Sequence, residues 1–159
     1  MGNFYTDVIH KDARFKSKAP INDLALLEPV TRDKVKQIIA DAAAQGIKLM
    51  VYETYRSQER QELLFEQKAT QLQTVGVHHY GLACDLVKDV GGHPSWKGDF
   101  KFVQKLAKKN GLIWGGDWGK PDVKPKLYDP GHVQRCTVAR QKGLFNGTWY
   151  PDASYDPTK

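Results

Sequence analysis

The stretch that decides the fold of this chain is residues 78–85, which read His78-His79-Tyr80-Gly81-Leu82-Ala83-Cys84-Asp85. An uninterrupted strand would place His78 and Asp85 on opposite faces and roughly 23 Å apart. A straight helix would place them on one face but about 10 Å apart along its axis, too far to share an ion. A bend at Gly81 allows a common metal, because glycine adopts backbone conformations that are closed to other residues. The sequence therefore predicts a bend at Gly81 and a following strand that carries Asp85.

A second segment with metal-ligand residue types reads Asp129-Pro130-Gly131-His132. The Pro-Gly turn allows the Asp129 carboxylate and the His132 ring to lie side by side. Two histidines and one carboxylate leave a fourth tetrahedral position open, which is the pattern of a catalytic zinc. The pKa of water bound there falls to about 7, and Asp129 is the candidate base that takes its proton.

The residue types alone leave other interpretations open. A lone histidine is more often a satisfied polar residue, and an aspartate before Pro-Gly is often only a turn former. The same ligand types also match the facial triad of non-haem iron oxygenases. Those enzymes usually bring their first two ligands closer together in sequence, so zinc is favoured over iron.

Periodicity and turn residues outline one α+β domain over residues 1–159. Ser57 is expected to cap the second helix, and Leu63, Leu64 and Phe65 are expected among its buried positions. Helices are predicted over 31–45, 57–73 and 99–110, the first capped by Thr31, and strands over 47–53, 82–87 and 132–137. The first 20 residues and the last 20 are expected to be irregular.

Composition and charge limit the classes of partner. The chain has 159 residues, with 24 Lys+Arg against 18 Asp+Glu and a formal net charge of +6. A basic surface favours anionic partners, which include nucleic acid, an acidic membrane and an acidic wall polymer. The lysines at 101, 105, 108 and 109 are expected to form a solvated helix face rather than a nucleic-acid site. The two cysteines, Cys84 and Cys136, are expected to be buried free thiols rather than a bridge.

Taken together, the motifs resemble a known family. The pattern His-x-x-Gly-x-Ala-x-Asp over residues 78–85 resembles the signature of the zinc D-Ala-D-Ala carboxypeptidases and L-alanyl-D-glutamate endopeptidases, a family that includes VanY-type enzymes and many phage endolysins. Further motifs agree in order: Tyr55-Arg56-Ser57, Trp114-Gly115-Gly116-Asp117-Trp118 and Asp129-Pro130-Gly131-His132-Val133-Gln134. The resemblance covers roughly residues 22–137. It implies a small antiparallel sheet flanked by helices, as in hedgehog and D-Ala-D-Ala peptidases, with an irregular C-terminal extension over 138–159.

The same resemblance implies the roles of individual residues. Asp129 would be the general base, and Arg56 would hold the substrate carbonyl and stabilise the oxyanion. Gly76 stands where many relatives have serine or threonine, so a side-chain hydroxyl is missing there. The implied Zn²⁺ ligands are His78, Asp85 and His132. The implied substrate-binding residues are Ser57, Trp114, Asp117 and Trp118, although such aromatic residues are as often part of a core.

The function implied by the resemblance is hydrolysis of the peptidoglycan stem peptide, at the L-Ala–D-Glu bond. One alternative is a D,D-carboxypeptidase that removes terminal D-Ala, and another is a non-catalytic zinc-containing binding module on the same fold. Asp129 and Arg56 argue against the binding module, which has no need of an acid/base carboxylate. The chain is expected to be a monomer that binds peptidoglycan, with no nucleic-acid partner and no stable membrane insertion. It is expected to be made in the cytoplasm without a signal peptide and to act on the wall or periplasm after holin-type release or secretion.

Overall fold

The computed structural model describes residues 2–67, 76–118 and 129–158. Within these ranges the α-helices are α1 (Phe4–Asp7), α2 (Pro29–Ala44), α3 (Gln58–Glu66), α4 (Phe102–Lys109) and α5 (Gln141–Phe145). The strands are β1 (Leu49–Glu53), β2 (Ala83–Val90), β3 (His93–Ser95), β4 (Ile113–Trp114) and β5 (His132–Gln134). All pairs are antiparallel, in the order β1-β2-β5-β4 with β3 paired to β2 as well. The predicted α+β class with a small antiparallel sheet is confirmed.

Strand β2 separates the two sides of the domain. Cys84 and Leu86 point into the main core, where they pack with buried side chains of α2 and α4. Asp85, between them, faces the other side, because successive side chains of a strand alternate. Gly81 has φ +74 and lies just before this strand, so the predicted bend is confirmed. A Cβ at Gly81 would also lie 2.9 Å from the carbonyl oxygen of Leu26, so the position excludes a side chain.

Helix α2 begins earlier than predicted. Thr31 was expected at the cap, but the cap is Glu28, whose carboxylate accepts hydrogen bonds from the backbone of Thr31 and Val30 at 2.7 and 3.2 Å. Pro29 suits the first helical position, because the nitrogen of that residue has no partner in a helix. The helix therefore starts at Pro29, directly after the buried Glu28.

Helix α3 shows one confirmed prediction and one error. Ser57 caps it, since its hydroxyl accepts from the backbone nitrogen of Arg60 at 2.9 Å. Leu63, Leu64 and Phe65 were expected to be buried, but Leu63 and Leu64 are only half-buried and Phe65 is 38% exposed. The buried residues of this helix are Arg60 and Gln61. Their polar ends contact buried groups of the neighbouring segments, so this helix turns a polar face inward. The helix ends at Glu66, and most of its predicted continuation lies outside the described residues.

The C-terminal segment is attached to the core through a buried arginine. Arg135 is 0% exposed and pairs with Glu28 at 2.9 Å. Its guanidinium also donates to the backbone oxygens of Asp152 and Tyr155 at 2.5 and 3.0 Å. The hydroxyl of Tyr150 donates to the backbone oxygen of Tyr80 at 2.8 Å. The extension therefore packs against the domain, and it contains the short helix α5.

Several smaller expectations are also tested by the structure. Cys84 and Cys136 are free and buried, as predicted. The four lysines of the α4 region, at 101, 105, 108 and 109, are exposed, as expected of a solvated face. None of the helices in the described ranges has the length and apolar character needed to cross a membrane.

Candidate metal centre and active site

The residues His78, Asp85 and His132 converge at one corner of the sheet. One ligand atom from each lies within 4.8 Å of the other two. Asp85 Oδ1 is 3.3 Å from His78 Nε2 and 3.0 Å from His132 Nδ1. His132 lies opposite Asp85 in the β2–β5 pairing, and the bend at Gly81 returns His78 to the same point. Strand register and one glycine therefore assemble a site from residues that are distant in sequence.

The ring of His78 is oriented by the backbone. Its Nδ1 atom lies 2.8 Å from the carbonyl oxygen of Thr54, and the ring is buried. A carbonyl oxygen accepts and does not donate, so Nδ1 carries the proton. Nε2, the nitrogen nearest Asp85, is left to act as a ligand.

The ring of His132 is oriented by a side chain. Its Nε2 atom lies 2.8 Å from the amide oxygen of Gln134. The amide nitrogen of Gln134 donates to the carbonyl oxygen of Cys136, which determines which end of the amide faces the ring. Nε2 therefore donates to Gln134, and Nδ1 is left to act as a ligand. Gln134 is 1% exposed, so water does not compete for this contact.

The Asp85 carboxylate is held from the opposite side by Arg56. Arg56 Nη2 donates to Asp85 Oδ2 at 3.2 Å and to Glu53 Oε1 at 2.9 Å. Glu53 is 1% exposed and also accepts from Arg60 Nε at 2.7 Å. A β-bulge between Val51 and Glu53 brings Glu53 opposite Asp85, so both carboxylates lie on the same face. Two arginines and two carboxylates therefore compensate one another beside the metal ligands.

The electrostatics of the corner favour a positive charge between the ligands. Burial alone would raise the pKa of Asp85, but the charges and hydrogen bonds of His78 and His132 hold it well below its usual range. Burial alone would lower the pKa of His132, yet that pKa is raised because the protonated ring, with a hydrogen on each nitrogen, donates from Nδ1 to Asp85 and is attracted by its charge; the neutral ring keeps Nδ1 free for a metal. Asp85 is therefore ionised, and it stabilises a positive charge at this point.

Asp129 lies directly beside this corner. Its carbonyl oxygen accepts from the backbone nitrogen of His132 at 3.2 Å, which forms the predicted turn. Gly115 packs against both residues: a Cβ built on it would lie 3.3 Å from the Cβ of Asp129 and 3.0 Å from that of His132. Desolvation by the surrounding protein and the negative charge of Asp85 raise the pKa of Asp129. Asp129 is exposed to solvent. Of the two causes that raise its pKa, the repulsion from Asp85 is therefore the one that does not require its carboxylate to be removed from water.

The four residues implied as substrate-binding have different positions. Ser57 donates to the backbone oxygen of Ser17 and caps α3, so its hydroxyl is engaged within the protein. Trp114 is buried in the main core, and its indole nitrogen donates to Pro130 at 2.7 Å. Asp117 accepts from Gln104 of α4 at 2.7 Å. Trp118 is the one of the four that lies by the ligands, with its ring centroid 5.0 Å from that of His132. A role in substrate binding stays a prediction for each.

Sequence reasoning missed two residues that support the site, Gln134 and Glu53. Gln134 stands two residues after His132 in a strand, and that spacing places both side chains on one face. This alternation was the available signal for Gln134. The position of Glu53 depends on a bulge, for which the sequence has no comparable signal.

These residues fit a catalytic metal site. Two imidazole nitrogens and one carboxylate oxygen are the donor set of a zinc site with an open fourth position. Each donor has a partner on its far side, namely Thr54, Gln134 and Arg56. Such outer contacts are typical of metal-ligating groups, because they set tautomer and orientation.

Comparisons with known proteins agree with this geometry. A family profile described as D-alanyl-D-alanine carboxypeptidase matches residues 70–135. The chain is 29% identical over 120 residues to the peptidoglycan L-alanyl-D-glutamate endopeptidase CwlK of Bacillus subtilis (strain 168), covering 64% of this chain and 72% of that protein. It is 35% identical over 109 residues to the L-alanyl-D-glutamate peptidase of Listeria phage A118, covering 65% of this chain but 37% of the phage protein.

A solved structure shows the same fold. The Serratia marcescens L-Ala D-Glu endopeptidase ChiX superposes with a TM-score of 0.55 and 22% sequence identity, over 74% of this chain and 90% of that one. The family profile also spans the segments that hold Asp129 and the three candidate metal-ligand residues. The chain is therefore similar in sequence to D-alanyl-D-alanine carboxypeptidases and L-alanyl-D-glutamate endopeptidases, and it shares the fold of one such endopeptidase.

Proposed function

We propose that the protein is a zinc-dependent peptidase that hydrolyses the L-Ala–D-Glu bond of the peptidoglycan stem peptide. The observation that carries this proposal is the direction of the three ligand atoms. Each is turned toward one point by a partner behind it, and Asp129 stands beside that point. The names of the Bacillus and phage relatives support the bond, since both are described as acting between L-alanine and D-glutamate.

Zn²⁺ at this position would polarise the peptide carbonyl and lower the pKa of water to about 7. The carboxylate of Asp129 accepts the proton of the attacking water and later returns it to the leaving amine. The raised pKa of Asp129 suits both tasks, because proton transfer is most effective when the pKa of the group approaches the working pH.

Arg56 has two roles in this proposal. It keeps Asp85 in place, since its Nη2 atom donates to that carboxylate at 3.2 Å. Its Nε atom has no hydrogen-bond partner among the described residues. That atom is buried, so contact with the oxyanion that develops on the carbonyl, the role implied by the family resemblance, would fall to the terminal nitrogens of the guanidinium.

The first test compares Asp129→Ala with the wild type on purified sacculi. We expect kcat to fall by about 100-fold or more, the effect of removing a general base. Zinc content, measured on the same samples by atomic spectrometry, should stay at one ion per chain because Asp129 is not a ligand. Asp33→Ala, which removes an exposed carboxylate of α2, is the matched control and should leave kcat unchanged. An active Asp129→Ala enzyme would contradict the assignment of the base.

Mass spectrometry of the released products separates the candidate activities. New D-Glu amino termini that disappear with a chelator support the endopeptidase, whereas free D-Ala would identify a D,D-carboxypeptidase. Retention on sacculi with no released product would favour a binding module. The monomeric state, the lack of nucleic-acid binding and action on the wall or periplasm after release from the cytoplasm stay predictions.

A further inference from the structure

An exposed aromatic pair lies on the sheet outside the metal corner. Trp96 is 58% exposed, and it is the one tryptophan among the exposed large apolar side chains of the described residues. Its ring meets that of Tyr52 edge-on, with centroids 4.9 Å apart and an interplanar angle of 76°. A single exposed apolar residue needs no explanation, but two aromatic rings in contact offer a ligand an apolar surface.

The register of the sheet shows that this pair crosses β2. Lys88 of β2 has Leu49 of β1 on one side and Ser95 of β3 on the other, so β1 and β3 lie along opposite edges of β2. Trp96 follows Ser95, and Tyr52 belongs to β1. A contact between these two rings therefore has to pass over a face of β2.

The face that the pair crosses is the one that carries Asp85. Ser95 lies opposite Lys88 in the antiparallel pairing, so the next residue, Trp96, lies beside the preceding residue of β2, Val87. Val87 and Asp85 are two residues apart in the strand, so they share a face and lie about 7 Å apart. Val87 is 1% exposed although it lies on this open side, as expected if the rings cover it. The aromatic surface of Trp96 and Tyr52 thus adjoins the metal corner.

This distance matches one part of the proposed substrate. In peptidoglycan the L-Ala amine is joined to the lactyl group of a muramyl sugar. The peptide unit between the L-Ala α-carbon and the lactyl carbon spans about 3.8 Å. Three further bonds, one from the L-Ala carbonyl carbon to its α-carbon and two through the ether oxygen to the sugar, add roughly 4 Å. The sugar therefore begins about 8 Å from the L-Ala carbonyl. The bond between the terminal D-alanines lies three residues further on, at least about 10 Å more. A sugar therefore reaches the aromatic surface when the L-Ala–D-Glu bond lies at the metal corner.

We propose that Trp96 and Tyr52 bind the pyranose ring of the muramyl residue whose stem peptide is cleaved. This inference rests on the proposed function, because the distance is counted from the L-Ala–D-Glu bond. The C–H faces of a pyranose are apolar, and they stack on an aromatic ring while the hydroxyls remain in water. Trp96 supplies the exposed ring, and Tyr52 buttresses it from the edge.

The experiment compares two substrates that differ only in the sugar. One is a muramyl peptide, and the other is the same stem peptide carrying an N-terminal lactoyl group without the sugar. We expect the wild type to cleave the muramyl peptide with a kcat/KM about tenfold higher, the factor that corresponds to one aromatic stacking contact. Trp96→Ala should bring this ratio close to one while the rate on the lactoyl peptide stays within about twofold. Trp96→Tyr should restore part of the ratio.

Phe145→Ala is the matched control, because it removes another exposed aromatic ring, 47% exposed on α5, away from the sheet. It should leave the substrate ratio unchanged. The inference is overturned if Trp96→Ala keeps the ratio, or if it lowers both rates equally. If the wild type cleaves neither substrate, the proposed function fails instead. Binding of the muramyl peptide to metal-free protein, followed by tryptophan fluorescence with and without Trp96, then decides the sugar site by itself.

Discussion

The two histidines of the candidate metal site differ in what orients them. His78 is held by a backbone carbonyl, that of Thr54, whereas His132 is held by the side chain of Gln134. The distances are equal at 2.8 Å, and both rings are buried. A backbone contact survives a change of side chain, but a side-chain contact does not. We call His132 and Gln134 the β5 half of the site, and His78 with Thr54 the His78 half. The β5 half should therefore be the more sensitive to substitution.

The largest effect is expected where the two halves are joined. The backbone N–H of Glu28 donates to the carbonyl oxygen of Gly81 at 2.9 Å, beside the His78 half. The carboxylate of Glu28 pairs with Arg135, which follows the β5 half in the chain. Arg135→Met should lower the free energy of unfolding by about 3–5 kcal/mol, because it leaves a buried carboxylate without its cation. Denaturant unfolding measures this change.

The double variant Glu28→Gln/Arg135→Met is the control for that experiment. It removes both charges and keeps an amide that can still cap α2, so it should recover part of the lost stability. A single Arg135→Met variant as stable as the wild type would show that the pair does not join the two halves.

The next effect tests the comparison directly. Gln134→Leu should weaken Zn²⁺ binding by about 10–100-fold, the usual consequence of removing an outer contact of a ligating histidine. Thr54→Val removes a buried hydroxyl but keeps the carbonyl that holds His78, so zinc affinity should be unchanged. Competition with a chromophoric chelator measures both affinities. Equal losses in the two variants would remove the distinction between the halves.

A smaller effect is expected at a glycine that contacts the β5 half. A Cβ on Gly115 would lie 2.5 Å from the carbonyl oxygen of Asp129, so Gly115→Ala must displace the turn. We expect kcat to fall about tenfold, less than the ~100-fold that a full 1 Å misplacement costs. Gly147→Ala is the control: beyond its chain neighbours no atom lies within 4 Å of a Cβ there, so its left-handed φ of +71 can cost stability but cannot displace the turn. Unchanged kcat in Gly115→Ala would show that the turn tolerates the shift.

The smallest effect concerns the outer side of the His78 half. The hydroxyl of Tyr5 lies 2.9 Å from Nε2 of His79, whose Nδ1 lies 3.1 Å from the backbone oxygen of Arg56. Tyr5→Phe should lower the free energy of unfolding by about 1 kcal/mol, the contribution of one hydrogen bond. Zinc affinity should not change, because the contact of His78 with the backbone remains. Thermal unfolding and chelator competition on the same sample check both parts.

Local chemistry made a large part of the fold predictable. The bend at Gly81 and the cap at Ser57 follow from residues that are close in sequence. Phe65 shows where this reasoning fails. Its apolar character predicted burial, but α3 turns Arg60 inward because Glu53 lies there to receive it.

The sequence by itself determined which residue types could form the metal site and where the chain had to bend, because metal chemistry and glycine conformation are local properties. Only the tertiary structure decided which nitrogen of each histidine faces Asp85, since that depends on Thr54 and Gln134 as partners. It also decided that Trp114 lies in the core while Trp96 lies open beside the site. These outcomes depend on strand register and on a bulge, which join residues far apart in the chain and leave no local pattern.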